Sequence, residues 1–242
     1  MPAQIRHPRN ASGFTLVEMA IVLLIMGLLL GGGLSVIGAQ IDQQRIKDTQ
    51  KTLDDARDAL LGFAIANGRL PCPATAATNG IESPVGGGTC TNPYDGFLPA
   101  ATLGIPGGDA NGFLTDAWGT TANRIRYAVT TANANAITTG NGLRPPLPTN
   151  MTNFAPDLHV CASSTGITAV ACGAATPLTN NAVAVVFSLG KSAGSAGPDE
   201  AANQNNDRVF VSHTMTATFD DMVTWLPPST YFNRMVQAGV LP

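Results

Sequence analysis

Three acidic residues in one loop-like stretch, Asp199, Glu200 and Asp207, are the side chains of this sequence best suited to bind a metal ion. Calcium takes about six to eight oxygen ligands, and carboxylates on one loop can supply them together with backbone carbonyl groups. Lys191 lies upstream in the same stretch, and an ammonium group near a divalent cation is unfavourable unless it points away. The residues predict either a calcium site on Asp199, Glu200 and Asp207 or a solvated acidic loop.

Two other groups of reactive residues do not meet the requirements of an enzyme. Gly190-Lys191-Ser192 matches the end of a phosphate-binding loop, but Val185 occupies the position where such a loop needs its first glycine. The spacing G-x-S-x-G occurs at residues 190–194, but a hydrolase also needs a base within hydrogen-bond reach of the serine, and we interpret His159 and His213 as ordinary polar residues of strands and loops. We therefore predict a protein that is not an enzyme and has no catalytic residues.

The four cysteines indicate an exported protein. Cys72, Cys90, Cys161 and Cys172 allow three pairings, and disulfides persist in oxidising compartments. We predict the two sequence-local disulfides, Cys72–Cys90 and Cys161–Cys172, because each closes a loop rich in glycine and threonine. Zinc is the competing interpretation, but the sequence has no C-x-x-C and its histidines lie far from the cysteines.

An apolar stretch near the N-terminus is long enough to cross a membrane. Residues 14–37 carry one ionisable side chain, Glu18, and as a helix they would extend about 36 Å across a bilayer core of about 30 Å. Arg6 and Arg9 precede this stretch without any acidic residue, a bias that keeps the first residues cytoplasmic. We predict a membrane-spanning helix over residues 14–38, with the rest of the chain on the far side.

The segment Gly13-Phe14-Thr15-Leu16-Val17-Glu18 resembles the processing site of type IV prepilins and type II secretion pseudopilins. The resemblance implies a cytoplasmic leader, residues 1–13, which the prepilin peptidase removes by cutting between Gly13 and Phe14 before Phe14 is N-methylated. It also implies that Glu18 meets the amino terminus of a neighbouring subunit, which supplies the partner that a carboxylate in a membrane needs. An ordinary single-pass anchor is the alternative.

Two further segments resemble major pseudopilins. Asp116-Ala117-Trp118-Gly119, followed by a strand pattern, is similar to the start of their C-terminal sheet. Phe187-Ser188-Leu189-Gly190 is similar to the strand that precedes their calcium loop, although Lys191 and small residues replace the acidic residue that follows in that family. The resemblance therefore supports calcium as the one cofactor to consider, although one acidic ligand of the family is replaced in this sequence.

The sequence predicts an α+β, pilin-like fold. One nearly continuous helix is expected from Thr15 to Asn67, and its second half, residues 39–67, is amphipathic. Gly68, Pro71 and Pro73 end this helix. Its expected apolar face consists of Ile46, Leu53, Ala56, Leu60 and Phe63. Residues 68–242 are expected to form a loop-rich globular domain in which the helix packs on a small antiparallel sheet.

Local patterns predict the strands of this domain. The run Ala182–Leu189 is the most apolar outside the anchor and is expected to be the central buried strand. Phe219–Trp225 fits either a strand or a helical turn, and Thr230–Ala238 fits a closing helix. The other expected strands are Arg124–Val129, His159–Cys161 and a return strand over Arg208–Ser212.

These features predict a structural role. We expect a minor pilin or pseudopilin subunit of a type IV pilus or type II secretion pseudopilus, held in the bacterial inner membrane with its domain in the periplasm and then assembled. Its expected partners are the prepilin peptidase, other subunits and the membrane. The formal net charge of −3 does not indicate a nucleic-acid-binding protein. The alternative is a displayed binding or adhesin module, which would expose aromatic residues such as Tyr94, Phe97 and Phe113.

Overall fold

The computed structural model describes residues 13–144, 152–193 and 197–242, and the side chains of residues 30–37 are outside this description. Of the leader predicted for residues 1–13, only Gly13 lies within the described residues. The chain divides into two compact units, Met1–Gln44 and Arg45–Pro242, each of which is described by itself.

The longest element is α1, which runs over Leu16–Asn67 and confirms the long helix expected from the sequence. It ends where Gly68 adopts φ +67°, a left-handed conformation that glycine takes without steric cost, and the Gly68 N–H bonds the Ala64 carbonyl oxygen. The shorter helical segments are α2 (Ala100–Leu103), α3 (Ala132–Asn135), α4 (Pro198–Ala202) and α5 (Pro228–Gln237). α5 corresponds to the predicted closing helix.

Seven short strands in the described part of the chain form two sheets. They are β1 (Gly96–Phe97), β2 (Arg126–Val129), β3 (Leu158–Cys161), β4 (Pro177–Ala182), β5 (Ala184–Ser188), β6 (Val209–Val211) and β7 (Met222–Leu226). The first sheet is antiparallel with the order β1-β2-β5-β7, and the second has the order β4-β3-β6. The α+β class is therefore confirmed.

The strand β5 is the centre of the globular unit. Ala184 and Val186 belong to the core that contains α1 residues, whereas Val185 and Phe187 belong to the core shared with the second sheet. Because both faces of β5 are buried, its sequence is continuously apolar rather than alternating. This placement confirms the expected central strand.

The second half of α1 covers one face of the first sheet. Leu53, Ala56 and Leu60, three residues of the predicted apolar face, are fully buried, while Ile46 and Phe63 are half-buried at its margins. Each buried leucine contributes about 1.5–3 kcal/mol through removal of apolar surface from water. The amphipathic pattern thus correctly identified the packed face.

The strand predicted over Arg208–Ser212 is present, but it does not return beside the central strand β5 as expected. β6 covers most of the expected segment, but it pairs in parallel with β3 in the second sheet, with Val160 opposite Phe210. β5 is already flanked by β2 and β7, so neither of its edges is available to β6. The ambiguous segment before α5 is the strand β7, and it is this strand that returns beside β5.

Both expected disulfides are present. Cys72 bonds Cys90 and Cys161 bonds Cys172, and these two bonds use all four cysteines. Closing a loop of this size in the unfolded chain stabilises a fold by about 3 kcal/mol. The two bridges constrain segments that contain little regular structure.

A buried ion pair links Arg69 to Glu82, which lies within the first disulfide loop. The Arg69 guanidinium donates to both oxygens of the Glu82 carboxylate, Nη1 to Oε2 at 2.7 Å and Nη2 to Oε1 at 2.6 Å. Glu82 also accepts hydrogen bonds from the backbone N–H groups of Cys72 and Gly86. This network joins the end of α1 to the loop that follows it.

Candidate functional site

The start of α1 is organised by two side chains. The Thr15 N–H and hydroxyl group both donate to Glu18 Oε2, at 2.8 and 2.9 Å, and the Glu18 N–H donates to Thr15 Oγ1 at 3.2 Å. This reciprocal arrangement is a capping box, in which a threonine and a glutamate three residues later satisfy the first N–H groups of a helix. Glu18 is thereby held at the first turn of α1.

The two residues before the capping box are exposed and lie outside regular secondary structure. Gly13 and Phe14 precede the helix, and the Phe14 side chain is 83 % exposed. A Cβ added at Gly13 would meet nothing within 4 Å among the described residues. The peptide bond between them is accessible to another protein.

The described side chains in the first half of α1 are exposed on all sides of the helix, and most of them are apolar. All described residues from Gly13 to Leu29 are exposed, and the large apolar ones include Leu16, Leu23 and Leu28. A contiguous apolar surface of this kind indicates contact with a membrane or another protein.

Within the described side chains, no helix meets the length and hydropathy that crossing a membrane requires. The span predicted for residues 14–38 stays a prediction.

A protein-family model described as the prokaryotic N-terminal methylation motif matches residues 8–34. The chain carries a prepilin signature. The matched residues contain Gly13, Phe14 and Glu18, and they include the exposed apolar start of α1. Comparison with curated proteins and with solved structures found no match.

The prepilin signature supports a type IV pilin-like or pseudopilin subunit. It implies processing by the prepilin peptidase and assembly with other pilin subunits, and it indicates anchoring in the inner membrane and a filament. It is a structural motif rather than the signature of an enzyme family. The match covers the N-terminal part of the chain and leaves the globular unit to be interpreted from its own residues.

The three acidic residues predicted to bind calcium do not converge on one point. Asp199 accepts hydrogen bonds from the Ser164 N–H at 2.6 Å and pairs with His213 Nε2 at 3.0 Å. Asp207 accepts the Val209 N–H at the start of β6. Glu200 faces a different set of residues, so the site on Asp199, Glu200 and Asp207 stays a prediction that this geometry does not favour.

Glu200 instead lies beside two aspartates that the sequence analysis did not assign to a site. One carboxylate oxygen from each of Glu200, Asp220 and Asp221 lies within 4.8 Å of the other two. Glu200 comes from α4, and the aspartates immediately precede β7. The two adjacent aspartates, Asp220 and Asp221, are the feature of the sequence that could have indicated this cluster. No local sequence pattern connects them with Glu200.

Ser192 connects the members of this acidic cluster, which we define as Glu200, Asp220 and Asp221. Its hydroxyl donates to Glu200 and to Asp220 Oδ1, and its N–H donates to Asp220 Oδ2 at 2.9 Å. The Asp220 N–H in turn donates to Glu200 Oε1 at 3.0 Å. The loop after β5 is therefore held against α4 and β7.

Asp221 is the most deeply buried aspartate of the cluster, with 4 % of its surface exposed. Asn203 donates to its Oδ2 at 2.8 Å, and the Asn203 side chain is itself fixed by the backbone of Val211. Burial, together with the neighbouring charges of Glu200 and Asp220, raises the pKa of Asp221 to about 7, against the hydrogen bond from Asn203, which lowers it.

A second buried network fixes the start of the same loop. Asp116 Oδ2 accepts the Ser188 hydroxyl at 2.6 Å and the Asn123 amide at 3.1 Å, and Asn123 also donates to the Gly190 carbonyl oxygen at 2.6 Å. Gly190 has φ +62°, and a Cβ there would lie 2.3 Å from the Asp220 carbonyl oxygen. Only glycine allows this close approach.

Replacing Asp116 with alanine is expected to lower the free energy of unfolding by about 2–4 kcal/mol, because it leaves buried donors of Ser188 and Asn123 without their acceptor. Ser188→Ala removes one donor and keeps the rest, so we expect a loss of about 1 kcal/mol. Urea unfolding of the purified protein at pH 7, followed by tryptophan fluorescence, measures both. A loss of less than about 0.5 kcal/mol for Asp116→Ala would show that this network does not hold the loop.

The aromatic residues expected to be exposed in an adhesin are buried or half-buried. Phe113 is buried and packs edge-on against half-buried Phe97, with ring centroids 5.1 Å apart. The Tyr94 hydroxyl hydrogen bonds with Thr131 Oγ1 at 2.8 Å. These side chains stabilise the domain, and they do not form the exposed patch that the alternative function required.

Proposed function

We propose that this protein is a minor pilin or pseudopilin, a structural subunit of a type IV pilus or a type II secretion pseudopilus. The observation that carries the proposal is the prepilin signature over residues 8–34, which contains Gly13, Phe14 and Glu18 and lies at the head of a long helix. The proposal has three steps, which are processing, anchoring and assembly.

In the first step the prepilin peptidase cuts between Gly13 and Phe14, and Phe14 is N-methylated. The exposed chain before the capping box supports this step, since a peptidase needs an accessible peptide bond. Cleavage leaves Phe14 as the new N-terminus directly before Thr15, at the head of α1.

In the second step residues 14–38 anchor the processed subunit in the bacterial inner membrane. The exposed apolar side chains of α1 support this step, because such a surface is unfavourable in water. The globular unit then lies in the periplasm, where its two disulfides are stable.

In the third step Glu18 pairs with the amino terminus of a neighbouring subunit and the helices pack in a filament. A carboxylate among apolar side chains needs such a partner when it leaves water. The size of the globular unit and its long loops favour a minor subunit over a compact major one.

Fractionation of cells tests the proposal. Surface filaments are sheared from cells that make the full-length protein and from cells without the prepilin peptidase, and the protein is quantified in filaments and membranes. We expect it in the sheared filaments only when the peptidase is present. Equal amounts in membranes of both strains, with none in filaments, would support a plain membrane anchor instead.

A further inference from the structure

The outer edge of strand β7 is open. β7 pairs with β5 from Met222 to Leu226, and in the described part of the chain no strand pairs with its other side. An open edge presents backbone N–H and C=O groups that can bind another strand, and proteins usually protect such edges with charged residues or bulges. β7 has no charged residue, and it pairs with β5 in continuous register. Its outer edge is therefore suited to accept one more strand.

A groove lies against this edge. We define the edge groove by its lining residues, which are Arg57, Val223, Thr224, Trp225, Pro227 and Thr230. Successive side chains of a strand point to opposite faces of its sheet, so a cavity lined by three successive residues of β7 lies beside the strand rather than above one face. The cavity volume is about 410 Å³, within the range of pockets that bind ligands. A partner in the groove would therefore reach the backbone of β7.

The two faces of β7 differ in chemistry at the groove. Val223 and Trp225 are half-buried and pack against the core shared with the second sheet. Thr224 lies on the opposite face, where Arg57 Nη1 donates to its hydroxyl oxygen at 3.5 Å. Side chains that lie opposite each other on paired strands interact directly. An added strand would thus place alternate residues beside an apolar face and the residues between them beside a guanidinium group.

Arg57 selects the charge of the partner. Among the described residues that line the edge groove, only Arg57 is charged. Its side chain is 35 % exposed, and its one ion pair is the exposed contact with Asp54 at 3.6 Å on the same helix, a kind of pair that contributes little. A guanidinium group has five N–H donors, so Arg57 can bind a further carboxylate. β7 itself has no carboxylate, so pairing with a second copy of β7 would leave this contact unmade.

We propose that the edge groove binds an extended, acidic segment of a partner protein, which adds to β7 as a further strand. The backbone of the segment hydrogen bonds with the backbone of β7, and its apolar residues lie beside Val223 and Trp225. A glutamate or aspartate between these apolar residues binds Arg57. The expected partner segment therefore alternates apolar and acidic residues. Binding at this edge does not depend on processing or filament assembly.

Fluorescence anisotropy of labelled peptides tests the proposal on the detergent-solubilised full-length protein. The probe is a fluorescein-labelled peptide with the sequence Val-Glu-Val-Thr-Val-Glu-Val, and a control peptide carries lysine in place of both glutamates. Two more peptides carry N-methyl groups on every second backbone nitrogen, in the two possible phases. We expect saturable binding of the probe and about tenfold weaker binding of the lysine peptide. One of the two N-methylated peptides should not bind, because a strand bonds its neighbour through alternate N–H groups.

Arg57→Gln tests whether the peptide binds in the edge groove. Glutamine keeps a long side chain that can donate to Thr224, so we expect the variant to melt at the wild-type temperature and to bind the probe about fivefold more weakly. Arg45→Gln removes an exposed charge from the same helix outside the groove and should leave binding unchanged.

Three results would overturn the proposal. They are an unchanged affinity of Arg57→Gln for the probe, equal binding of both N-methylated peptides, and a probe that does not bind the wild-type protein. In the third case, dimer formation in analytical ultracentrifugation would assign the open edge to a second copy of the chain instead.

Discussion

Replacing Glu82 with glutamine is expected to lower the free energy of unfolding by about 3–5 kcal/mol, because the variant leaves the Arg69 guanidinium buried without a counter-charge. Both side chains are almost completely buried, at 9 % and 4 % exposure. The loss would be large for a fold whose total stability is about 5–15 kcal/mol. Urea unfolding at pH 7 measures it.

The double variant Arg69→Met/Glu82→Gln distinguishes a buried unpaired charge from a general packing defect. The double variant has no unpaired charge and keeps an amide oxygen for the Cys72 or Gly86 N–H, so we expect it to lose less stability than Glu82→Gln alone. Asp55→Asn, which breaks an exposed pair with Lys51, is the surface control and should cause no measurable change. A double variant less stable than the single variant would contradict this account of the pair.

The same pair makes the domain sensitive to acid. Burial by itself would raise the pKa of Glu82, but hydrogen bonds from Arg69 and from backbone N–H groups outweigh it, and the pKa lies below its ordinary value of 4.5. A lowered carboxyl pKa means that Glu82 stabilises the fold fully above about pH 4.5 and loses this contribution as the pH falls through its folded pKa. The difference in the free energy of unfolding between the wild-type protein and Glu82→Gln should therefore become smaller below about pH 4.

Replacing Glu18 with glutamine is expected to reduce the amount of protein in sheared filaments about tenfold or more, while cleavage after Gly13 continues. Glutamine accepts the Thr15 N–H as glutamate does, so the capping box at the start of α1 is retained. Only the negative charge is lost, and with it the proposed pairing with the amino terminus of a neighbouring subunit. Quantitative immunoblotting of filament and membrane fractions measures this ratio.

Thr15→Val is the matched control for that experiment. It removes the hydroxyl group that accepts the Glu18 N–H and donates to the Glu18 carboxylate, but it leaves the charge in place. We expect Thr15→Val to assemble much better than Glu18→Gln. If the two variants assemble equally poorly, the helix start and not the charge is what assembly requires.

The parts of the fold that depend on local sequence could be predicted. The bounds of α1 follow from an uninterrupted apolar run, an amphipathic pattern and Gly68, and all three lie in the helix or directly after it. The strands β2, β3 and β5 could be identified in the same way, from short runs of β-branched and apolar residues. The two sequence-local disulfides also required no knowledge of the fold.

The features that the sequence analysis missed depend on contacts between distant segments. The pairing of β6 with β3 depends on which strand edges remain open after β5 is flanked on both sides. Arg69 and Glu82 are ordinary charged residues in sequence and become a buried pair only when the loop between Cys72 and Cys90 brings Glu82 to the end of α1. Likewise, Glu200 meets Asp220 and Asp221 only in the folded chain, where Ser192 hydrogen bonds with both Glu200 and Asp220.

The mature N-terminus is the most direct test of the central claim that this chain is a filament subunit. Intact-mass and N-terminal peptide mass spectrometry would be applied to the protein from cells with and without the prepilin peptidase, and to a Gly13→Lys variant. The account predicts a chain that begins at Phe14 with one added methyl group, found only with the peptidase and absent from the variant. An unprocessed chain in both strains would contradict it and leave a membrane-anchored domain as the better description.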